Sequence, residues 1–308
     1  MPAEDYKVIR LLGEGAFGAV YQVRHTNGNL FAMKQSKGTG NVQAEVTEVE
    51  VLLSLKIHRH IVHMFEYFLD KTNTHMCIVM EFCNGGNLEQ YVIEKQPESH
   101  MIFVFMEQTA DAVQYLHMNG IIHRDLKPEN VLLVIQNGRA AVKVADFGIA
   151  KIADPILPGQ APVNYMQTQI GTACYQAPEV YDGHYTEKAD VFSLGVIYCA
   201  ILERLVMEFT GHGKRLLIFF DNQNPNPIGE VLHDDQRATR KLNPNVQIDT
   251  KIRNLINKMI VPFYKSRPTA TDVHDTFMQN LHNLHAQQTK NGMCLKAILI
   301  SPVIITPF

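Results

Sequence analysis

Along residues 6–82 the apolar positions come in short runs rich in β-branched and aromatic side chains: YKVIRLL, AVYQVRH, LFAMKQ and MCIVMEF. The Asn27-Gly28 pair between the second and third runs is a tight-turn signal, so this part predicts strands joined by hairpins. One stretch breaks the rhythm: Val42, Val46, Val49 and Leu53 recur at helical spacing and predict an amphipathic helix over about residues 42–56. After Gly85-Gly86 the pattern changes to long helical runs at 101–118, 187–204 and 250–262. The chain therefore reads as α+β, with a small β-rich unit at 1–83, a hinge near residue 83, a larger mainly helical unit at 84–285, and an apolar tail at 286–308. No internal repeat is evident, and the Asn/Pro-rich DNQNPNPIG is predicted to be a loop.

Composition adds exclusions rather than an identity. A net charge of −3 supplies no basic field for nucleic acid, and no window is long enough to span a membrane. The five cysteines are scattered, without a C-x-x-C pair, which argues against a disulfide framework or a zinc site and for a reducing compartment. MPAEDYKVIR carries acids where a signal peptide is basic, so secretion is not expected and the expected localisation is intracellular. The terminal GMCLKAILISPVIITPF matches no predicted element; docking on the larger unit, association and dispensability all stay open.

Chemistry enters at GEGAFGAV, residues 13–20, where three glycines stand at G-x-G-x-x-G. Such a loop serves either a dinucleotide, when a helix comes next, or ATP, when it is the tip of a hairpin. Here the third glycine leads into AVYQVRHTNGNLFAMK, β-branched and turn-forming, and residues 31–44 contain no acid to hold a ribose. The hairpin reading wins, and it places Lys34 where a cation can reach phosphates.

Downstream lie HRDLKPEN (residues 123–130), DFG (146–148) and APE (177–179). With these motifs in order, the sequence resembles the eukaryotic protein kinases over about residues 6–285, and among them the serine/threonine branch, because Lys127 stands two residues after Asp125. The resemblance implies a bilobal fold, ATP and Mg2+ as cofactors, and protein substrates. It implies that Lys34 holds the α and β phosphates and that Asp125 is the base, with Lys127 neutralising the transferring group. Asn130 and Asp146 would bind Mg2+ as hard oxygen ligands. The acid partner of Lys34 is open between Glu45, Glu48 and Glu50; Glu48 has the family spacing ahead of HRHIV, and Glu45 is the alternative.

The same resemblance assigns nucleotide contacts to Leu12, Gly13, Glu14, Gly15, Ala16, Phe17 and Gly18 in the loop, and to Val20, Ala32 and Leu132 around the adenine. It further assigns Met80 to the gatekeeper position, Glu81 and Cys83 to the adenine edge through their backbones, and Asn87, where many kinases carry an acid, to the ribose. Thr172 is implied to contact the HRDLKPEN loop, and Thr168 is the candidate phosphosite, with Arg124 and Lys151 as cations for its phosphate; an ordinary solvated threonine is the competing reading. Glu179 is expected to pair with Arg267, and Asp190 to brace the loop from beneath. His58, His60 and His63 suggest a metal site only weakly, and Cys174 reads as an inert thiol. MEFCNGGNLEQYV, GHYTEKADVFSLGVIYCAILERL and PIGEVL resemble the Clik kinases, which implies a PDZ-LIM adaptor as partner. A pseudokinase that binds partners without transferring phosphate is the alternative to an active enzyme.

Overall fold

In the computed structural model the described residues are 4–15, 18–37, 42–152, 172–209, 213–221 and 226–290. The N-terminal part is an antiparallel five-stranded sheet built from β1 (Tyr6–Gly15), β2 (Gly18–His25), β3 (Leu30–Ser36), β4 (Met64–Leu69) and β5 (Met76–Glu81), in the order β1-β2-β3-β5-β4. Helix α1 (Val42–Ser54) crosses between β3 and β4. The sheet is sided by the strand period of two. Val23, Met33, Cys77 and Val79 form a small buried cluster on one face, edged by Tyr6, Tyr21, Phe31 and Phe68. The other face carries Ile78 into the main core together with Val49 and Leu52 of α1.

The glycine motif sits at the β1–β2 turn, where Gly15 pairs with Gly18 and the chain continues as a strand rather than a helix. Gly18 has φ +153°, and a Cβ there would lie 2.3 Å from the carbonyl oxygen of Gln35, so only glycine lets β2 pack this close on β3. Ala16 and Phe17 lie outside the described residues.

The C-terminal part is mainly helical. It contains α2 (Leu88–Lys95), α3 (Ser99–Met118), a two-residue pair β6 (Ile121–Ile122) with β9 (Lys151–Ile152), the hairpin β7 (Val131–Gln136) and β8 (Arg139–Val144), and α4 (Glu187–Glu203). A second hairpin, β10 (Val206–Phe209) and β11 (Gly213–Leu216), precedes α5 (Ile228–Asp234), α6 (Thr250–Met259) and α7 (Ala270–Lys290). Helix α4 is buried on all sides from Ala189 to Ile201, which is why its sequence is apolar all round rather than striped. Thr186 caps its start by accepting from Lys188 N at 3.2 Å, and Arg204, at φ 52°, ends it in the left-handed region. The hairpins β7–β8 and β10–β11 have no counterpart among the predicted elements, because their alternation is too short to separate from neighbouring helical runs. Residues 291–308, the apolar tail, lie outside the described residues.

Two buried polar constructions tie these elements together. Arg267 forks onto Glu179 at 2.7 and 2.8 Å, donates to the carbonyls of Val261, Pro262 and Lys188, and lies 4.8 Å over the Phe192 ring. Both partners are nearly inaccessible, at 3% and 7% exposure, so each charge depends on the other. Arg267→Met should therefore destabilise the chain by about 3–5 kcal/mol, read by urea unfolding, because it strands the Glu179 carboxylate. A loss under about 1 kcal/mol would show that the carboxylate finds other partners.

The histidines of the α1–β4 loop are the second construction. His60 is buried and its Nδ1 lies 3.0 Å from the carbonyl of Val142. His58 stacks on Tyr115 at 4.5 Å, and both histidines face Asp111 of α3. Among the described residues no cluster of three or more His, Cys, Asp or Glu is arranged to hold a metal. Burial pushes His60 down to about 4, with Arg59 adding to that and Val142 and Asp111 opposing it. Between its unfolded value near 6.5 and about 4 the unfolded chain binds the extra proton, so stability falls as pH falls through that window. From pH 7 to pH 4.5 the native protein should lose about 2 kcal/mol more than His60→Gln in urea unfolding; equal losses would refute the assignment.

Candidate active site

The register of the sheet collects one face of the site. Across the antiparallel pairs Val20 lies opposite Lys34, Lys34 opposite Ile78, and Ala32 opposite Met80. Opposed residues project to the same side, so Val20, Ala32, Lys34, Ile78 and Met80 share the face that looks onto α1 and the C-terminal part. Ala32 is buried, and Val20, Met80 and Leu132 are half-buried. Leu12, Gly13 and Glu14 are exposed on β1 beside them.

Lys34 is the hinge of the polar chemistry. Its Nζ lies 2.6 Å from Glu48 Oε2 on α1 and 3.0 Å from Asp146 Oδ1, joining residues 112 positions apart. Of the three candidate glutamates, Glu48 is the one that meets Lys34; Glu50 is exposed, and the side chain of Glu45 lies outside the described residues. Burial works against the ammonium, but Asp146 and Glu48 outweigh it and raise the Lys34 pKa. Asp146 is the mirror case: burial opposes its charge, and the Lys34 ammonium nevertheless holds its carboxyl below the usual range. Both charges are therefore present at neutral pH.

The loop 123–130 is built on a second network. Asp125 accepts from Lys127 Nζ at 2.7 Å and from Asn130 Nδ2 at 3.0 Å, both at Oδ2, while Oδ1 takes no hydrogen bond among the described residues. Asn130 Nδ2 also donates to the Asp125 carbonyl at 2.8 Å, which fixes the amide and turns its oxygen away from Asp125. The carbonyl of Asn130 accepts from Ala145 N at 2.9 Å, placing Asn130 beside the residue before Asp146.

Two residues here have left-handed backbones without being glycine: Arg124 at φ 71° and Asp146 at φ 65°. Such conformations persist only where surrounding bonds hold them. For Arg124 the holder is Asp190, fully buried in α4, which accepts from His123 N at 2.8 Å, Arg124 N at 2.9 Å and His117 Nε2 at 2.9 Å. Burial would raise the Asp190 pKa, but His117, His123 and these donors keep it below the ordinary carboxylate value. In Asp190→Asn one amide N–H must face a backbone donor, at a cost of about 1–3 kcal/mol. Amide exchange at His123 and Arg124 should accelerate accordingly, and unchanged exchange would refute the brace.

Several of the other predicted contacts are also engaged by the fold. Glu81 pairs through its side chain with Lys143 at 2.8 Å, and its N–H donates to the His63 carbonyl at 2.9 Å. Cys83 is half-buried, and burial pushes its thiol up to about 12. Asn87 is the N-cap of α2, its Oδ1 accepting from Gln90 N at 2.8 Å, and the second lone pair of Oδ1 and the Nδ2 hydrogens are its other hydrogen-bonding groups. Cys174 is buried, with burial pushing it up to about 11, as suits an inert thiol. Thr168, and the side chains of Thr172 and Lys151, lie outside the described residues.

Residues 6–278 match the protein kinase domain family. The chain belongs to that family. Two curated relatives are both serine/threonine-protein kinases. SULU of Caenorhabditis elegans is 33% identical over 245 residues, covering 76% of this chain and 23% of that protein. Nek2 of Homo sapiens is 33% identical over 219 residues, covering 65% of this chain and 47% of that protein. This chain thus spans less than half the length of either relative.

Protein kinases as a family use ATP and Mg2+. The donor set suits that ion: one carboxylate at Asp146 and one amide oxygen at Asn130 are hard oxygen ligands, few enough for a cation that completes its shell with phosphates and water. Among the described residues no helix is long and apolar enough to cross a membrane.

Proposed function

We propose that the chain is an active protein serine/threonine kinase, moving the γ-phosphoryl group of ATP to Ser or Thr hydroxyls of protein substrates. The observation that carries the reading is a double arrangement: Lys34 held charged between Glu48 and Asp146, and Asp125 held at Oδ2 by Lys127 and Asn130, with no hydrogen bond to Oδ1 among the described residues. In this reading Lys34 binds the α and β phosphates and Glu48 keeps its ammonium in place. Asn130 and Asp146 would hold Mg2+, which would supply positive charge to offset that of the phosphates. The substrate hydroxyl gives its proton to Asp125 Oδ1 as its oxygen bonds to the γ phosphorus, the bond to the β-phosphate oxygen breaks, and ADP leaves. Lys127, 2.7 Å from Asp125, offsets charge on the transferring group.

The retained set of Lys34, Glu48, Asp125, Asn130 and Asp146 favours activity over the pseudokinase alternative. Purified chain with ATP and Mg2+ on a degenerate Ser/Thr peptide library tests this, with Asp125→Asn as control. Transfer to Ser/Thr that the control lacks supports the kinase. Folded protein that binds nucleotide and transfers nothing favours the scaffold.

The reading extends to regulation and partners on the sequence resemblance alone. Phosphorylation of Thr168 orders the segment after Asp146, with Arg124 and Lys151 as its cations, which phosphopeptide mapping of active protein would show. Membership of the Clik group makes a PDZ-LIM adaptor a partner and the nucleus or cytoplasm the site of action; co-precipitation and fractionation test both.

A further inference from the structure

One charged cluster stands beside the transfer chemistry without taking part in it. Glu129 lies four residues after Asp125, Glu89 lies on α2, and both carboxylates meet Arg215 of β11. Arg215 Nε is 3.0 Å from Glu89, and its Nη2 donates to Glu129. The hairpin is pinned at the same point, since Leu216 N donates to Glu89 at 2.8 Å and its carbonyl accepts from Tyr175 Oη at 2.6 Å.

The balance of charge is unequal, with two carboxylates sharing one guanidinium. Glu129 Oε2 is buried and unpartnered, while the Glu129 and Arg215 side chains are still 23% and 20% exposed. Burial and the neighbouring Glu89 both push the Glu129 carboxyl up, and Arg215 pulls it back. This is an acid pair shaped for a cation, and a residue of the same chain supplies it. Four residues of chain reach at most about 14 Å, so a side chain flanking an acceptor at Asp125 comes within range of the pair.

We infer that Arg215 is a built-in occupant of a cation site on the substrate side of the loop 123–130, and that it sets specificity by denying Glu129 and Glu89 to basic residues flanking the acceptor. The inference rests on the kinase reading proposed for the chain. Local spacing does not reveal this pairing, since Glu129 and Arg215 are 86 residues apart. With Arg215 in place, Lys or Arg beside the acceptor gains nothing from the pair; without it, the pair binds that cation.

Two Ser/Thr peptides, one with arginines at positions two to four from the acceptor and one with alanines there, test this on the full chain. Wild type should give kcat/KM values within about threefold of each other. Arg215→Ala should favour the arginine peptide by roughly tenfold or more, and adding Glu129→Gln should remove that gain. The ratio is taken within one preparation, so partial misfolding cancels. If Arg215→Ala yields no folded protein, Arg215→Leu with Glu89→Leu removes the buried ion pair and should show the same preference through Glu129. The ranking is also read as binding of fluorescently labelled peptides, so it stands even where no phosphate is transferred; absence of transfer counts against the kinase reading, not this one. A wild type that already prefers the arginine peptide, or folded Arg215 variants with an unchanged ratio, would overturn the inference.

Discussion

Asp125→Asn is expected to lower kcat for peptide phosphorylation by about 10²–10⁴ while leaving nucleotide affinity within about twofold. The exchange is nearly isosteric and keeps an oxygen for Lys127 Nζ or Asn130 Nδ2, which donate to Asp125 at 2.7 and 3.0 Å. What it removes is the basic oxygen, Oδ1, that no described residue occupies. Because the Asp125 side chain retains 12% exposure, water compensates the lost charge and stability should change little. The test is steady-state kinetics beside nucleotide titration. A kcat within tenfold of wild type would show that proton acceptance by Asp125 is not what limits transfer, and an equally large fall in nucleotide affinity would place its role in binding.

Lys34→Met should act twice. Activity falls because a positioned ammonium facing developing phosphate charge is worth about 10²–10³ in rate. Stability also falls, by roughly 3–5 kcal/mol, because Glu48 is 3% exposed and loses the charge 2.6 Å away that makes its burial tolerable. The two effects separate in the double variant Lys34→Met with Glu48→Leu, which should regain in urea unfolding the part of the stability lost at Glu48, with Asp146 still lacking its ammonium 3.0 Å away, and none of the activity. If the single variant is as stable as wild type, Glu48 has another partner of comparable strength. If the double variant recovers activity, Lys34 serves the fold rather than the phosphates.

Strand β4 (Met64–Leu69) has no counterpart among the predicted runs, but β1, β2, β3 and β5 were legible because their short β-branched and aromatic runs are broken by Asn27-Gly28 and closed by glycine, signals that act over a few residues. The same is true of α1, α3, α4 and α6, whose cores were read to within a few positions of Val42–Ser54, Ser99–Met118, Glu187–Glu203 and Thr250–Met259. The short hairpins were not legible. Strand β11 holds only four residues, and its register is set by Glu89 and Tyr175 rather than by its own pattern. Asn87 shows the limit at a single residue. Its family position suggests a ribose contact, and the structure adds a role the motif does not reveal: its oxygen caps α2, because a cap depends on the local backbone and not on the motif around it.

Residue type and local spacing were thus enough to favour the hairpin over the helix after Gly18, and the motifs HRDLKPEN and DFG carried the family resemblance that makes Lys34, Asp125, Asn130 and Asp146 the candidates for the chemistry. Pairing was not decided there. That Lys34 meets Glu48, that Asp190 holds the backbone of His123 and Arg124, and that Arg215 neutralises Glu89 and Glu129 involve separations of 14 to 126 residues. Charge–charge and hydrogen-bond energies depend on distance and burial in space, and the chain acquires both only when sheet, helices and loop close on one another.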